Sequence, residues 1–283
     1  NTSRKLMFGT AWLFYLAIVF EFLFMITPFA LYFYSAYQPA LSLLNGSQYS
    51  AWLTGFFLPH FSQTDSLRIL WLNRAGWWLA YLGLILFLVS ALKLYLSKLF
   101  RKGTVSGLLY RYVRHPQYLA LAILGLGTTL IWPRFIVLLT FVFMLFIYRW
   151  LARYEEDKCL QKYGESYRQY LQETGMFLPR RGQAESTPAK TRKTRNPRLG
   201  LATHLLILCL ALVCGLLMRE LSLDSVSALY MDDVAVVSPA LMEQQRTAEI
   251  YLHARNDFDR SPVGKGSNAP LLVYIVPKDW YLP

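Results

Sequence analysis

Charge is scarce in this sequence: Asp, Glu, Lys and Arg make up 16% of its 283 residues, where a soluble domain carries about 25%. The deficit is concentrated in a few long apolar runs, the pattern of bilayer spans, so an ordinary soluble globular chain is excluded. Cysteine is sparse too. Cys159, Cys209 and Cys214 are too few for the disulfide framework of a small secreted domain, and the latter two lie in an apolar run where cysteine acts as a small apolar filler. The four histidines, His60, His115, His204 and His253, are scattered and none stands at metal-ligand spacing from a cysteine, so no metal site is expected. No nucleic-acid-binding motif is present, and no nucleic-acid partner is expected. Gly264-Lys265-Gly266-Ser267 lacks the Gly-x-x-x-x-Gly-Lys spacing of a phosphate loop. The first apolar run has no small-residue cleavage pattern and reads as an anchor, not a removable leader.

What is present is a chain that is 55% hydrophobic with a formal net charge of +12. Five apolar runs stand out: Leu6–Leu31, interrupted by Glu21 and Pro28, then Ala75–Leu92, Pro116–Trp132, Phe135–Leu151 and Leu199–Met218. Only Pro133-Arg134 separates the third from the fourth, and because Pro133 cannot continue a helix with its hydrogen bonds intact, the two form a tight hairpin. Seventeen helical residues reach roughly 25 Å, just short of a bilayer core, so Arg134 and Arg149 are expected to snorkel at opposite faces. Residues 38–66 read as a loop carrying the glycosylation triplet Asn45-Gly46-Ser47. From Ala152 to Gly175 the pattern turns charged and amphipathic, and Gly164 predicts a break between two short helices. Residues 180–198 are polar and basic, with Pro188 and Pro197, and read as a flexible linker. In the tail, Ser238-Pro239 predicts a helix start running through about Arg255, and Leu271–Val276 a strand. One helix and one or two strands are a thin core for such a segment.

The expected fold is all-α: a polytopic helical membrane protein with about five transmembrane helices and a small extracytoplasmic α/β tail. Five segments follow: N-terminal helices and loop (1–107), a core of hairpin plus amphipathic helix (108–180), the basic linker (181–198), a fifth span (199–219) and the tail (220–283). The N-terminus, Lys93–Arg114 and Arg149–Arg198 together hold 20 of the 29 basic residues. Alternation through five spans puts all three on one side, which the positive-inside rule makes the cytosol. The tail, with nine acidic and five basic residues, then lies outside.

Polar residues gather at two span ends: Arg114-His115-Pro116-Gln117-Tyr118 at the entry to the third, and Arg149, Arg153, Glu155 and Glu156 at the exit of the fourth. The hairpin brings these ends together at one depth. The first motif, followed by Gly125 and Gly127, resembles the Arg-His-Pro-x-Tyr motif of the isoprenylcysteine carboxyl methyltransferase and phospholipid methyltransferase family. The second group, Arg153, Glu155-Glu156, Leu160, Tyr163-Gly164, Tyr167 and Tyr170, resembles the same family's second signature, with Tyr-Gly where the family usually has Phe-Gly, and Phe177-Leu178-Pro179 resembles its exit. The likeness spans about residues 108–180.

The resemblance implies S-adenosylmethionine bound at the cytosolic face and a lipophilic small molecule or lipid entering from the bilayer. It points to Arg114, His115, Tyr118, Gly125, Glu155 and Glu156 as cofactor-binding residues, and to Arg153 and His115 as catalytic ones. The chemistry agrees: carboxylates suit an ammonium or ribose hydroxyls, Arg suits a carboxylate, and aromatic rings suit a cation or adenine. A carboxylate or thiolate acceptor needs a positioned cation, whereas an amine acceptor needs a base, for which His115 is the candidate. Several residues have two readings. Gly125 and Gly127 serve close approach to a cofactor or to another helix. Glu21 is an intramembrane carboxylate, hence functional, protonated or paired with His204, while His204 favours packing between helices. Arg153, Glu155 and Glu156 also fit a solvated helix start. Two other functions compete: a membrane reductase of related helical core using NADPH, and a non-catalytic anchor whose extracytoplasmic tail binds a protein partner.

The topology is testable directly. With the native cysteines removed, single cysteines at Ser106 and Ser186 are expected to be protected from an impermeant thiol reagent in intact cells, and one at Ser261 to react. Equal labelling of Ser186 and Ser261 would mean that the fifth run does not cross.

Overall fold

The computed structural model describes residues 2–60, 64–100, 107–179, 197–224, 226, 228–231, 234–259 and 271–276. The basic linker, up to residue 196, and Ser106, Ser186, Ser261 and Gly264–Ser267 lie outside the described residues. Four helices have the length and apolarity to cross a membrane: α1 (Thr2–Tyr34, spanning from Leu16), α3 (Leu67–Leu99), α5 (Phe135–Tyr163) and α7 (Pro197–Leu223). Between α3 and α5 lies a shorter apolar helix, α4 (Pro116–Ile131). Four spans plus this short helix make an integral membrane protein of the expected helical class.

The boundaries differ from the sequence reading in instructive ways. α1 runs through Pro28 unbroken, as membrane helices allow when neighbours re-satisfy the freed carbonyl. α3 is far longer than its apolar centre. α5 does not stop where charge begins: the fourth apolar run and the first charged helix are one continuous rod, because nothing before Gly164 breaks it. Gly164, at φ +57°, ends α5, and α6 (Glu165–Glu173) then follows. The 38–66 segment is not all loop. It contains α2 (Gln38–Asn45), with Pro39 in its first turn, and a helical turn at Ala51–Thr54.

α3 and α4 are the most closely packed pair of elements, and glycine is the reason. A Cβ on Gly127 would stand 2.4 Å from the Ala80 amide nitrogen, and one on Gly83 would stand 2.4 Å from the Leu124 nitrogen. With no hydrophobic force between helices in lipid, such backbone approach is how they associate. α5 folds back beside α4, and α1 leans on both. Between the three sit Met25, Tyr32, Leu121, Met144 and Tyr148, all buried. Tyr32 ties α1 to α4 by donating to the Gly125 carbonyl at 2.6 Å and sharing its hydroxyl with Thr128 and Thr129.

The hairpin tip is sealed by residues 55–57. Phe57 N–H donates to Pro133 O (2.8 Å) and Phe135 N–H to Gly55 O (3.1 Å). At this tip the Arg134 guanidinium donates to the Thr54 carbonyl and stacks 4.0 Å over Phe56. The tail, beyond α7, forms a three-stranded sheet of β1 (Ala228–Met231), β2 (Val234–Val237) and β3 (Leu271–Tyr274). β2 is central, antiparallel to β1 and parallel to β3. α8 (Gln244–Asp259) packs against β1 and β2. α8 starts later than Ser238-Pro239 suggests because those residues form a turn, with Leu241 at φ +53°. Its start is held instead by Asp65, which accepts from the Glu243 amide (3.3 Å) and pairs with Arg246 (2.5 Å). Asp65 stands two residues before the start of α3, so the tail sits at the hairpin-tip end of the bundle.

The glycine contacts set an expectation. Gly127→Ala forces its methyl into the backbone of α3 and is expected to destabilise the fold by about 1–3 kcal/mol, the usual cost of overpacking. Gly200→Ala, which meets nothing within 4 Å, is expected to cause no loss. Thermal unfolding of the two variants in detergent checks this.

Candidate active site

The end of the bundle opposite the hairpin tip carries the polar cluster. His115 precedes α4, where Pro116 opens the helix at a position that needs no N–H. The segment before it is pinned like a short strand: Arg114 N–H donates to Gly175 O (2.9 Å) and His115 N–H to Met176 O (3.2 Å). α6 therefore folds back over the α4 entry, and the Tyr170 hydroxyl donates to Tyr110 O at 2.7 Å.

Arg114 joins three pieces of chain. Its Nε donates to Glu156 Oε1 at 2.7 Å, and its Nη1 to the carbonyls of Leu171 (3.2 Å) and Thr174. Glu156 is buried and the Arg114 side chain only 11% exposed, and breaking a buried pair by removing one member typically costs about 3–5 kcal/mol. Tyr118 donates its hydroxyl to Glu155 and stacks on Tyr148, ring centroids 4.9 Å apart. His115 stacks on Tyr118 at 5.6 Å. Its Nδ1 lies 3.4 Å from Glu155 Oε2 and its Nε2 3.4 Å from Glu156 Oε1, close enough for charge pairing. Neither nitrogen, though, closes a hydrogen bond with the protein. Burial opposes charge on this imidazole and the two carboxylates favour it; the carboxylates win, and the pKa is raised. Burial also lifts the phenols of Tyr110, Tyr167 and Tyr170 above their ordinary range, keeping them neutral donors.

A cavity of about 820 Å³ opens beside this cluster, enclosed by α1, α3, the turn at Leu108–Arg111, α5 and α6. Of the residues singled out from sequence, Arg114, His115 and Glu155 line it, and Tyr118 and Glu156 stand behind as their partners. Gly125 does not line it. A Cβ there would meet Met144 and Phe141 at 2.9 Å, so its role is packing against α5. Arg153 is also off the cavity wall; on α5 the wall is formed by Glu155, Lys158, Cys159, Lys162 and Tyr163, and Arg153 belongs to another side of the helix. The sequence reading missed Tyr95, Lys98, Tyr110 and Gln117, which line the cavity. The Tyr95/Lys98 spacing at the end of an apolar run was the available signal. Glu21, considered as a partner for His204, pairs instead with Lys98 at 2.6 Å, while His204 packs edge-on against Phe146 at 4.4 Å. Among the described residues there is no cluster suited to a metal ion.

Comparison with known families supports a membrane methyltransferase in the general sense. The family whose model matches is the phospholipid methyltransferase family, over residues 85–166. The matched segment is less than a third of the chain and runs from the second half of α3 to the start of α6. It therefore contains both span ends that build the site. No curated protein and no solved structure matches the chain.

A raised His115 pKa stabilises the fold fully below the unfolded value of about 6.5, and that contribution is lost as pH rises through the folded pKa. The melting-temperature difference between wild type and His115→Phe is therefore expected to be largest near pH 6 and to shrink toward pH 9. A difference that grows with pH would mean that the buried imidazole is neutral.

Proposed function

We propose that this chain transfers the methyl group of S-adenosylmethionine to a nucleophile on a lipophilic acceptor at the cytosolic face. The observation that carries the reading is His115, a buried imidazole with both nitrogens left unbonded beside a cavity walled by two carboxylates and five tyrosines. A cavity of about 820 Å³ falls within the range that holds compact organic ligands.

When bound, S-adenosylmethionine supplies an electrophilic methyl group on a sulfonium, so the chain needs chiefly to hold and align. Glu155 suits the cofactor's ammonium or ribose hydroxyls. The faces of Tyr95, Tyr110, Tyr163, Tyr167 and Tyr170 suit adenine or a cation, and Lys158 and Lys162 suit a carboxylate. Glu156 positions these groups from behind, and Arg114, which lines the cavity, gives its Nε to Glu156 and its Nη1 to the 171–174 carbonyls. His115, held between Glu155 and Glu156 with its pKa raised, is the side chain available as a general base, and an acceptor that is already anionic, a carboxylate or thiolate, needs none.

The test is binding. S-adenosylhomocysteine is expected to raise the melting temperature of the purified protein, since a ligand held only by the folded state stabilises it, and NADPH to leave it unchanged. Glu155→Gln is expected to weaken calorimetric affinity by ~1.5–3 kcal/mol, the range for a charged hydrogen bond. A shift with NADPH alone would favour a reductase.

A further inference from the structure

The tail carries a surface that methyl transfer does not use. Strand register puts Tyr230, Ala235 and Leu272 in one cross-strand row, and Ala228, Val237 and Tyr274 in another. Side chains alternate across a sheet, so both rows share one face. The row between them, Leu229, Val236 and Val273, belongs to the other face. Val236 is fully buried there, beneath α8, which packs on β1 and β2. Opposite α8, Tyr230 is 80% exposed, Leu272 57% and Tyr274 58%. Both rows are free of charge. A parallel pair such as β2 and β3 normally has both faces covered, and α8 covers one. Two tethers hold this sheet at the rim of the membrane bundle. The spanning helix α7 ends at Leu223 and β1 begins at Ala228, a reach of at most about 18 Å. Asp65 holds the start of α8 two residues before α3. α3 opens with exposed Leu67 and Trp71, and Arg74 lies over the Trp71 ring at 5.7 Å. An exposed Trp beside a cation at the end of a span marks the membrane–water interface. On α7, Leu217, Leu221 and Leu223 are exposed, so its lipid-facing surface runs without a break to the chain that enters β1.

We propose that the open face of the tail sheet is a lipid-surface docking site, with Tyr230, Leu272 and Tyr274 seated at the headgroup–acyl boundary of the leaflet at the hairpin-tip end. The occupant is the bilayer because both tethers hold the sheet at that level and the lipid-facing surface of α7 leads into it. The residue types fit the place. A tyrosine sets its ring against the acyl boundary and keeps its hydroxyl among the headgroups, and Leu272 enters the apolar layer beside them. The leaflet then covers the second face of the sheet, as a packed layer does in a soluble domain. The inference is independent of the methyl-transfer reading, since the tail lies outside the residues of the family match.

The experiment uses the full chain, with its three native cysteines replaced, in phosphatidylcholine vesicles. Tyr230→Cys, Leu272→Cys and Tyr274→Cys each carry a fluorophore. Leu252→Cys on the exposed side of α8 and Leu221→Cys near the end of α7 serve as aqueous and lipid references. Two quenchers are compared: iodide on both sides of the vesicle, and a phosphatidylcholine with a nitroxide high on its acyl chain. The three sheet positions are expected to follow Leu221, losing fluorescence to the nitroxide lipid and not to iodide, while Leu252 shows the reverse. Iodide quenching at all three positions equal to that at Leu252 overturns the proposal. Protection from both quenchers also overturns it, because protein, a second copy or another part of this chain, then covers the face. Where a labelled variant melts earlier than wild type, the unsubstituted protein decides. A phosphatidylcholine with a photoactivatable diazirine high on its acyl chain is expected to place adducts on the peptide holding Leu272 and Tyr274, and their absence overturns the docking site.

Discussion

The site is held together by one part-buried guanidinium. Arg114 links the mouth of the α4–α5 hairpin, through Glu156, to the turn after α6, through the Leu171 and Thr174 carbonyls. Without that tie the α6 segment would have little reason to fold back over the cavity, since it is short and polar. With the tie, three consequences follow. Tyr167 and Tyr170 close the cavity, Gly175 and Met176 pair with the backbone of Arg114 and His115, and Glu156 lies close to the His115 ring. Both charges are largely withdrawn from solvent and paired with each other, so the pair specifies geometry more than it adds net stability.

The membrane bundle supplies the rigidity that this tie requires. α3 and α4 approach backbone to backbone at Gly83 and Gly127, which fixes the height of the α4 entry. The unbroken α5 carries Glu155 and Glu156 out of the membrane on the same rod that forms the hairpin. The hairpin tip is locked independently by residues 54–57 around Arg134. Each end of the hairpin thus has its own fastening, and each depends on an arginine spending its donors on backbone carbonyls.

The two arginines also show how residue type fails to predict role. Arg114 and Arg153 read alike in the sequence, as cations at adjoining span ends. Arg114 lines the cavity and ties Glu156 to the Leu171 and Thr174 carbonyls, and Arg153 lies off the cavity wall. Gly125 and Gly127 likewise offered two readings; both resolve to helix packing once neighbouring atoms are counted. Conversely, Glu21 and Lys98, some seventy-seven positions apart in the chain, become a pair only because α1 and α3 lie side by side at that height.

What the sequence determined by itself was the membrane class, the hairpin and the meeting of the two motifs. Apolar run length and a proline break are local properties, and a hairpin with one two-residue turn leaves its open ends no alternative but to meet. Gly164 was legible for the same reason, since its freedom at positive φ is intrinsic. Only the tertiary structure decided which face of α5 looks into the cavity, that α3 contributes Tyr95 and Lys98 to it, and that Asp65 anchors α8. Those facts depend on the rotation and height of helices about their axes. These are set by side-chain contacts between segments distant in the chain, and hydropathy, which is nearly uniform around a membrane helix, carries almost no information about them.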